Sequence, residues 1–145
     1  MKAVILAGGL GTRLGPLTYT LPKPMLPLVG KPILQHVINS LSRQGFEEII
    51  IATNYLREKI ENCFGDGSKF GVELTYPKEE VPLGTAGSVK NTQKSLNATF
   101  AVIQGDNITD ISLQEAPKVP QKKGWNSHNI SNFSPKPPKN MESQK

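Results

Sequence analysis

The sequence predicts an α/β domain built on a doubly wound, mostly parallel sheet. Two observations indicate this class: short apolar runs alternate with segments of helical spacing, and most of these runs are apolar at nearly every position. Continuously apolar strands are typical of parallel sheets that are covered on both faces. Alternation of strands and helices favours crossover connections between parallel neighbours. We therefore expect an open sheet with helices packed on both sides.

Four strands are predicted in order along the chain. The first covers Lys2–Leu6 and leads into a glycine pair. The second covers Glu48–Thr53 and the fourth covers Thr99–Gln104, and both are dominated by apolar residues. The third, Val72–Tyr76, alternates apolar and polar residues, which is also typical of a strand.

Three helices and one long loop connect these strands. Pro32 suits the first turn of a helix, and apolar residues at helical spacing continue from there until Gly45 ends the helix. Residues 55–64 and 85–94 are predicted as two further helices. Residues 10–32 contain five prolines, each of which fixes φ and removes a backbone donor, so we expect an ordered loop rather than a helix.

The charge divides the chain into two unlike parts. Residues 1–116 contain eleven basic and eleven acidic residues, whereas residues 117–145 contain six lysines and one acid. The second part is rich in Pro, Asn, Gln and Ser and has no sustained apolar period. We expect one domain over 1–116, followed by a disordered basic tail.

Composition excludes several classes of function. The net charge of +5 lies in the predicted tail rather than in the predicted domain, so we expect no nucleic-acid partner. No apolar run approaches the roughly 20 residues that span a bilayer, so we expect no membrane segment. A lone cysteine, Cys63, excludes an internal disulfide framework and favours a reducing, cytoplasmic compartment.

The strongest chemical signal is the glycine-rich segment that follows the first strand. Glycines at positions 8, 9 and 11 let backbone N–H groups converge without Cβ atoms in the way, which is how phosphate is often bound. Arg13 adds a planar cation suited to phosphate. The segment lacks the Gly-Lys-Ser/Thr ending of a P-loop and the dinucleotide-binding GxGxxG pattern. An ordinary glycine-rich turn is the alternative interpretation.

Lys23 is the second signal, because prolines flank it on both sides. The stiffened backbone presents the amine with little loss of entropy, and a fixed cation near the glycine loop could neutralise a transferring phosphoryl group. A solvated lysine in a rigid turn is the alternative.

On these residues the sequence resembles the sugar-phosphate nucleotidyltransferases. The resemblance implies a Rossmann-like nucleotidyltransferase fold and covers about the first 115 residues. Its motifs occur in the family's order: Gly8–Thr18, Pro22–Pro27 with Gly30–Pro32, Pro82–Ser88 and Gln104–Asn107.

The resemblance implies a role for each matching residue. Arg13 would stabilise charge on the α-phosphate and the leaving pyrophosphate, and Lys23 would hold the same phosphate and the sugar phosphate. The other implied nucleotide contacts are Leu6, Ala7, Gly8 and Gly9 (the first two mainly at the base), Gly11 and Thr12 at the triphosphate, and Gly84 and Thr85 at base and sugar.

The same resemblance implies a metal ligand and a reaction. Asp106, at the end of the fourth strand, would ligate Mg²⁺, which prefers oxygen ligands; a strand-end turn or helix-cap aspartate is the alternative. A nucleoside triphosphate would react with a sugar 1-phosphate to give a nucleotide sugar and pyrophosphate. The substrate oxygen is already a nucleophile, so alignment and charge stabilisation would suffice.

The sequence departs from the family pattern after about Ala116. Family members continue past 200 residues and supply a sugar-binding half with a second metal-binding aspartate, for which residues 117–145 offer no counterpart. We therefore expect a C-terminally truncated domain with weak nucleotide binding, which could associate with a second copy or with a full-length relative. A shifted reading frame is one hypothesis for the tail. The alternative function is a non-catalytic nucleotide-binding or partner-binding fragment.

Overall fold

The computed structural model describes residues 1–79, 81 and 83–113. Within these residues it contains a four-stranded parallel sheet, a two-stranded hairpin and three α-helices. In chain order the elements are β1 (Lys2–Leu6), β2 (Pro27–Leu28), β3 (Lys31–Pro32), α1 (Ile33–Arg43), β4 (Glu48–Ala52), α2 (Arg57–Phe64), β5 (Glu73–Thr75), α3 (Gly84–Asn91) and β6 (Phe100–Gln104).

The main sheet has the strand order β5-β4-β1-β6, and every neighbouring pair is parallel. The central strand β1 pairs along its whole length on both sides, so that Val4 lies between Ile50 and Val102. All four predicted strands and three predicted helices form, with ends that differ by up to three residues. The prediction of a mostly parallel α/β fold is confirmed.

The two faces of the sheet explain why the strands are apolar at nearly every position. Alternate residues such as Ala3 and Ile5 face a core that includes Leu34 of α1 and Phe64 of α2. The intervening residues face a second, smaller cluster on the other side. That cluster is built on Val4, Ile50 and Ala52, with Leu6, Leu96, Phe100 and Val102 packed around it.

The loop predicted over residues 10–32 contains short regular pieces and no α-helix. Two single 3-10 turns cover Thr12–Leu14 and Lys23–Met25, and β2 and β3 form a small antiparallel hairpin. A single 3-10 turn requires little more than one i→i+3 hydrogen bond. Prolines are therefore compatible with it, as Pro24 shows at the second position of its turn.

The predicted tail, residues 117–145, and the predicted boundary at 116 lie outside the described residues. In the part of the chain that is described, no helix has the length and apolar character needed to cross a membrane.

Candidate functional site

The predicted site residues converge at the carboxyl edge of the sheet. The N–H of Ala7 donates to the carbonyl oxygen of Ala52 (2.8 Å), and the N–H of Gly105 donates to the carbonyl oxygen of Leu6 (2.9 Å). The segments that leave β1, β4 and β6 are thus joined side by side. Open parallel sheets bind their ligands at this edge.

Gly11 shows why the glycine loop needs glycine. Its φ of +63° lies in the left-handed region, and a Cβ there would lie 2.9 Å from Cγ2 of Thr18 and 3.3 Å from Cβ of Lys23. The carbonyl oxygen of Gly11 accepts hydrogen bonds from the N–H of Leu14 and the hydroxyl of Thr18, both at 2.9 Å. Hydrogen bonds to the carbonyl oxygen of Gly11 therefore help to hold the loop in place.

The backbone N–H groups of this loop are available to a ligand. Within the described chain, the backbone N–H groups of residues 8–12 donate no hydrogen bond, and Gly8 and Gly9 are exposed. A run of free donors beside a strand end favours anion binding. By contrast, the N–H of Ala7 and the carbonyl oxygen of Leu6 are already engaged in hydrogen bonds to neighbouring strand ends.

Side chains from the segment after β4 hold the outer part of this loop. The hydroxyl of Tyr55 contacts the carbonyl oxygens of Thr18 at 3.0 Å and Tyr19 at 3.1 Å, and Lys59 Nζ donates to the carbonyl oxygen of Thr20. Thr18 is 1% exposed. The sequence alone does not reveal these contacts, because the partners lie 36 to 39 positions apart and no local pattern marks them.

Lys23 and Asp106 form an ion pair, with 40% and 25% of their side chains exposed. The cation predicted to hold phosphate thus lies against the carboxylate predicted to hold metal. Arg13 follows Gly11 in its 3-10 turn and is exposed, without an ion pair to any described residue. The site therefore contains one paired cation and one free cation.

Gly84 and Thr85 begin α3, a helix that contacts β1. Both residues are exposed, and Gly84 has a φ of +67°. A side chain at position 84 would meet nothing within 4 Å, so the glycine is required by its backbone conformation rather than by protein packing. Both residues therefore lie at the start of a helix that contacts the central strand.

Glu79 is an acidic residue that is almost fully buried. The residue is only 9% exposed, and its Oε1 has no hydrogen-bond donor in the described structure. The side chain of Asn54 donates to the carbonyl oxygen of Glu79 at 2.7 Å, and the backbone N of Asn54 lies 3.6 Å from where a Cβ of Gly8 would be. A buried carboxylate therefore lies on a segment that is hydrogen-bonded to Asn54, whose backbone lies beside Gly8.

Replacing Glu79 with glutamine should raise the free energy of unfolding at neutral pH by about 1–2 kcal/mol, because a neutral isosteric amide costs less to bury than a carboxylate whose Oε1 lacks a donor. Chemical denaturation measures the change. The matched control is Glu73→Gln on β5, where the residue is exposed and the expected change is within about 0.5 kcal/mol. A loss of stability in the Glu79 variant would contradict the interpretation.

The donor set at Asp106 fits a magnesium ion only in part. Among the described residues there is no group of three or more His, Cys, Asp or Glu side chains that could enclose a metal. Mg²⁺ is often bound by one or two carboxylates together with substrate phosphates. Asp106 beside the glycine loop therefore suits a metal ion that arrives with phosphate oxygens.

Fold and site together define an α/β protein with a glycine loop at the carboxyl edge of its parallel sheet. A parallel sheet carries at its carboxyl edge a glycine loop with free N–H groups, two cations and a carboxylate. Comparison with known proteins makes the class specific. The chain belongs to the nucleotidyl transferase family, whose model matches residues 2–140, and this match extends past the point where the resemblance noted in the sequence ends.

Individual relatives agree with the family match. The chain is 39% identical to a UTP–glucose-1-phosphate uridylyltransferase of Synechocystis over 136 residues, covering 86% of this chain and 35% of that protein. It is 44% identical to a mannose-1-phosphate guanylyltransferase of Mycobacterium tuberculosis over 116 residues, covering 79% and 32%. The chain therefore spans about a third of the length of these curated relatives.

A solved structure supports the fold. HddC from Yersinia pseudotuberculosis, complexed with GMP-PN, superimposes with a TM-score of 0.65 at 39% identity, covering 72% of this chain and 47% of that one.

Proposed function

We propose that this protein serves nucleotidyl transfer from a nucleoside triphosphate to a sugar 1-phosphate, giving a nucleotide sugar and pyrophosphate. One observation carries the proposal: the N–H groups of residues 8–12 have no acceptor in the described chain and lie at the sheet edge that also holds Lys23 and Asp106. The family match and the names of the relatives supply the reaction class.

The reaction is an in-line displacement at phosphorus. An oxygen of the sugar 1-phosphate attacks the α-phosphorus, a new P–O bond forms, and the bond from that phosphorus to the bridging oxygen breaks as pyrophosphate leaves. The attacking oxygen is already anionic, so the protein need supply no nucleophile. Its contribution is to align the two substrates and to stabilise the charge that develops.

Each proposed residue has a role consistent with its position. Arg13, which has no ion pair, binds the triphosphate and the leaving pyrophosphate, and Lys23 binds the α-phosphate and the sugar phosphate. The remaining nucleotide contacts in this proposal are Leu6, Ala7, Gly8 and Gly9 along the nucleotide, Gly11 and Thr12 at the triphosphate, and Gly84 and Thr85 at base and sugar.

Asp106 is the proposed ligand of a magnesium ion. The ion would supply charge neutralisation to the phosphates when bound. The carboxylate is suitably placed for this, since Gly105 ties the backbone before it to β1.

The catalytic unit requires more than residues 1–116, which we propose as the nucleotide-binding part. Since the chain spans about a third of the length of the two curated relatives described above, a second candidate is a non-catalytic fragment that binds nucleotide or a partner. The proposed partners are a second copy of this chain or a full-length relative. A reducing cytoplasm is the proposed compartment, because the chain has one cysteine and the substrates are metabolites.

Thermal unfolding with added nucleotide tests binding. We expect GTP, UTP, dTTP or ATP with Mg²⁺ to stabilise the protein, by about 2.7 kcal/mol when the ligand is at 100 times its Kd. The corresponding nucleoside, which lacks phosphate, serves as the control. If none of the four triphosphates stabilises the protein, the binding proposal is wrong.

Release of pyrophosphate separates the two candidate functions. The triphosphate that binds is mixed with glucose 1-phosphate or mannose 1-phosphate, and pyrophosphate is measured over time. Turnover supports the enzyme, whereas binding without turnover supports the nucleotide-binding fragment.

A further inference from the structure

We propose that Lys23 acts as a resident counter-ion for Asp106 in the ligand-free protein, so that a divalent cation binds this carboxylate poorly until phosphate draws the lysine away. The inference rests on the proposed function and concerns the regulation of the same site. It starts from the ion pair between Lys23 Nζ and Asp106 Oδ2.

Both members of the pair are held by ordered backbone. Lys23 opens a 3-10 turn and is flanked by Pro22 and Pro24, both of which are buried. Asp106 follows Gly105, whose N–H donates to Leu6 of the central strand. Because both backbones are already ordered, the ion pair forms without a further cost in backbone entropy.

The stem of Lys23 also lies against the glycine loop. A Cβ at Gly11 would be only 3.3 Å from the Cβ of Lys23, so the two backbones approach closely at this point. The lysine has four carbons of flexible stem beyond its backbone. The same amine can therefore exchange the carboxylate of Asp106 for a phosphate oxygen at the loop without a change in fold.

Charge makes this exchange selective. A lone divalent cation must displace the ammonium group from Asp106 and is also repelled by it, whereas a triphosphate that carries its own cation provides each partner with a replacement. Lys23 moves to the phosphate, and Asp106 becomes free to act as a ligand. The ligand-free site thus disfavours metal alone and favours metal and nucleotide together.

Titration with Mn²⁺ in the absence of nucleotide tests the proposal on the full chain. Free Mn²⁺ is followed by electron paramagnetic resonance. We expect Lys23→Met to bind Mn²⁺ about three- to tenfold more tightly than the original protein. The variant has no ion pair for Mn²⁺ to break and no ammonium group to repel it, and solvent screening keeps both effects modest. Adding Asp106→Asn should abolish the tighter Mn²⁺ binding of Lys23→Met, and in the original protein it should remove the weaker binding at this carboxylate.

Lys94→Met is the matched control because it removes the same charge from an exposed lysine. Lys94 adjoins Ser95, whose carbonyl oxygen accepts from Lys2 at the amino end of β1, so it lies at the opposite edge of the sheet. Unchanged Mn²⁺ affinity is expected there. Lys23→Gln, which keeps a polar stem, provides a second variant if Lys23→Met does not fold by circular dichroism.

Inorganic triphosphate, titrated with EDTA present, gives a second readout. Asp106→Asn removes a repelling charge in any background, but in the presence of Lys23 it also frees the amine. We therefore expect this substitution to raise triphosphate affinity at least threefold more with Lys23 present than in Lys23→Met.

Equal Mn²⁺ affinity in the original protein and in the folded Lys23 variants would overturn the proposal. This failure differs from failure of the proposed function. If the protein binds no nucleoside triphosphate but Lys23→Met binds Mn²⁺ more tightly, the counter-ion role stands and the proposed function is wrong. If the protein binds triphosphate but Lys23→Met leaves Mn²⁺ affinity unchanged, the proposed function stands and the counter-ion role is wrong.

Discussion

Replacing Arg13 with alanine should weaken triphosphate binding by about 10- to 100-fold while leaving the stability of the fold unchanged. A hydrogen bond to a charged group contributes about 1.5–3 kcal/mol, and tenfold in affinity corresponds to about 1.4 kcal/mol. Stability should not change, because Arg13 is exposed and has no ion pair in the described structure. Calorimetric titration with the triphosphate that binds, in the presence of Mg²⁺, measures the affinity.

Arg43→Ala is the control for net charge. Arg43 is exposed in the last turn of α1, which leads towards the amino end of β4 and away from the glycine loop. Its loss should change triphosphate affinity less than about twofold at 0.15 M salt, where separated charges are largely screened. Equal losses in the two variants would mean that general attraction, and no specific contact of Arg13, governs binding.

Replacing Gly11 with alanine should destabilise the protein by about 2–5 kcal/mol and also weaken triphosphate binding. The left-handed conformation costs a non-glycine residue about 1–2 kcal/mol, and crowding in a packed site costs about 1–3 kcal/mol more. The new methyl group would lie 2.9 Å from Thr18 and 3.3 Å from Lys23. Either the loop or the lysine must move, and both belong to the proposed site.

Gly30→Ala separates backbone strain from crowding. Gly30 has a φ of +75°, and a Cβ there would meet nothing within 4 Å, so only the cost of the left-handed conformation is expected. The free energy of unfolding, measured with denaturant, should be at least about 1 kcal/mol lower for Gly11→Ala than for Gly30→Ala, because only the methyl group at position 11 is crowded. Equal stability of the two variants would show that the side chains of Thr18 and Lys23 shift to accommodate the methyl group at no cost in free energy.

Lys23, which is paired, and Arg13, which is not, should affect ligand binding at different steps. Arg13 is accessible in the ligand-free protein, so its effect appears when nucleotide binds. Lys23 already has a partner, so its substitution affects metal binding before any nucleotide is present. A single pair of variants, measured with metal alone and with triphosphate, therefore distinguishes the two roles.

Local sequence patterns were sufficient for most of the fold. Continuous apolar runs predicted β1, β4 and β6 to within a residue or two, since a strand buried on both faces must be apolar at nearly every position. The glycine loop was equally visible, because its backbone requires residues without Cβ. Such features depend on a few neighbouring residues, which is why a single sequence reveals them.

The sequence by itself determined the fold class, the family resemblance and the types of residue at the site. Tertiary structure alone decided which of those residues meet: the pairing of Lys23 with Asp106, the support of the loop by Tyr55 and the burial of Glu79. Each of these contacts joins segments that are distant in the chain. They form only after β1, β4 and β6 have been brought to a common edge, and no local pattern encodes the distance between two such segments.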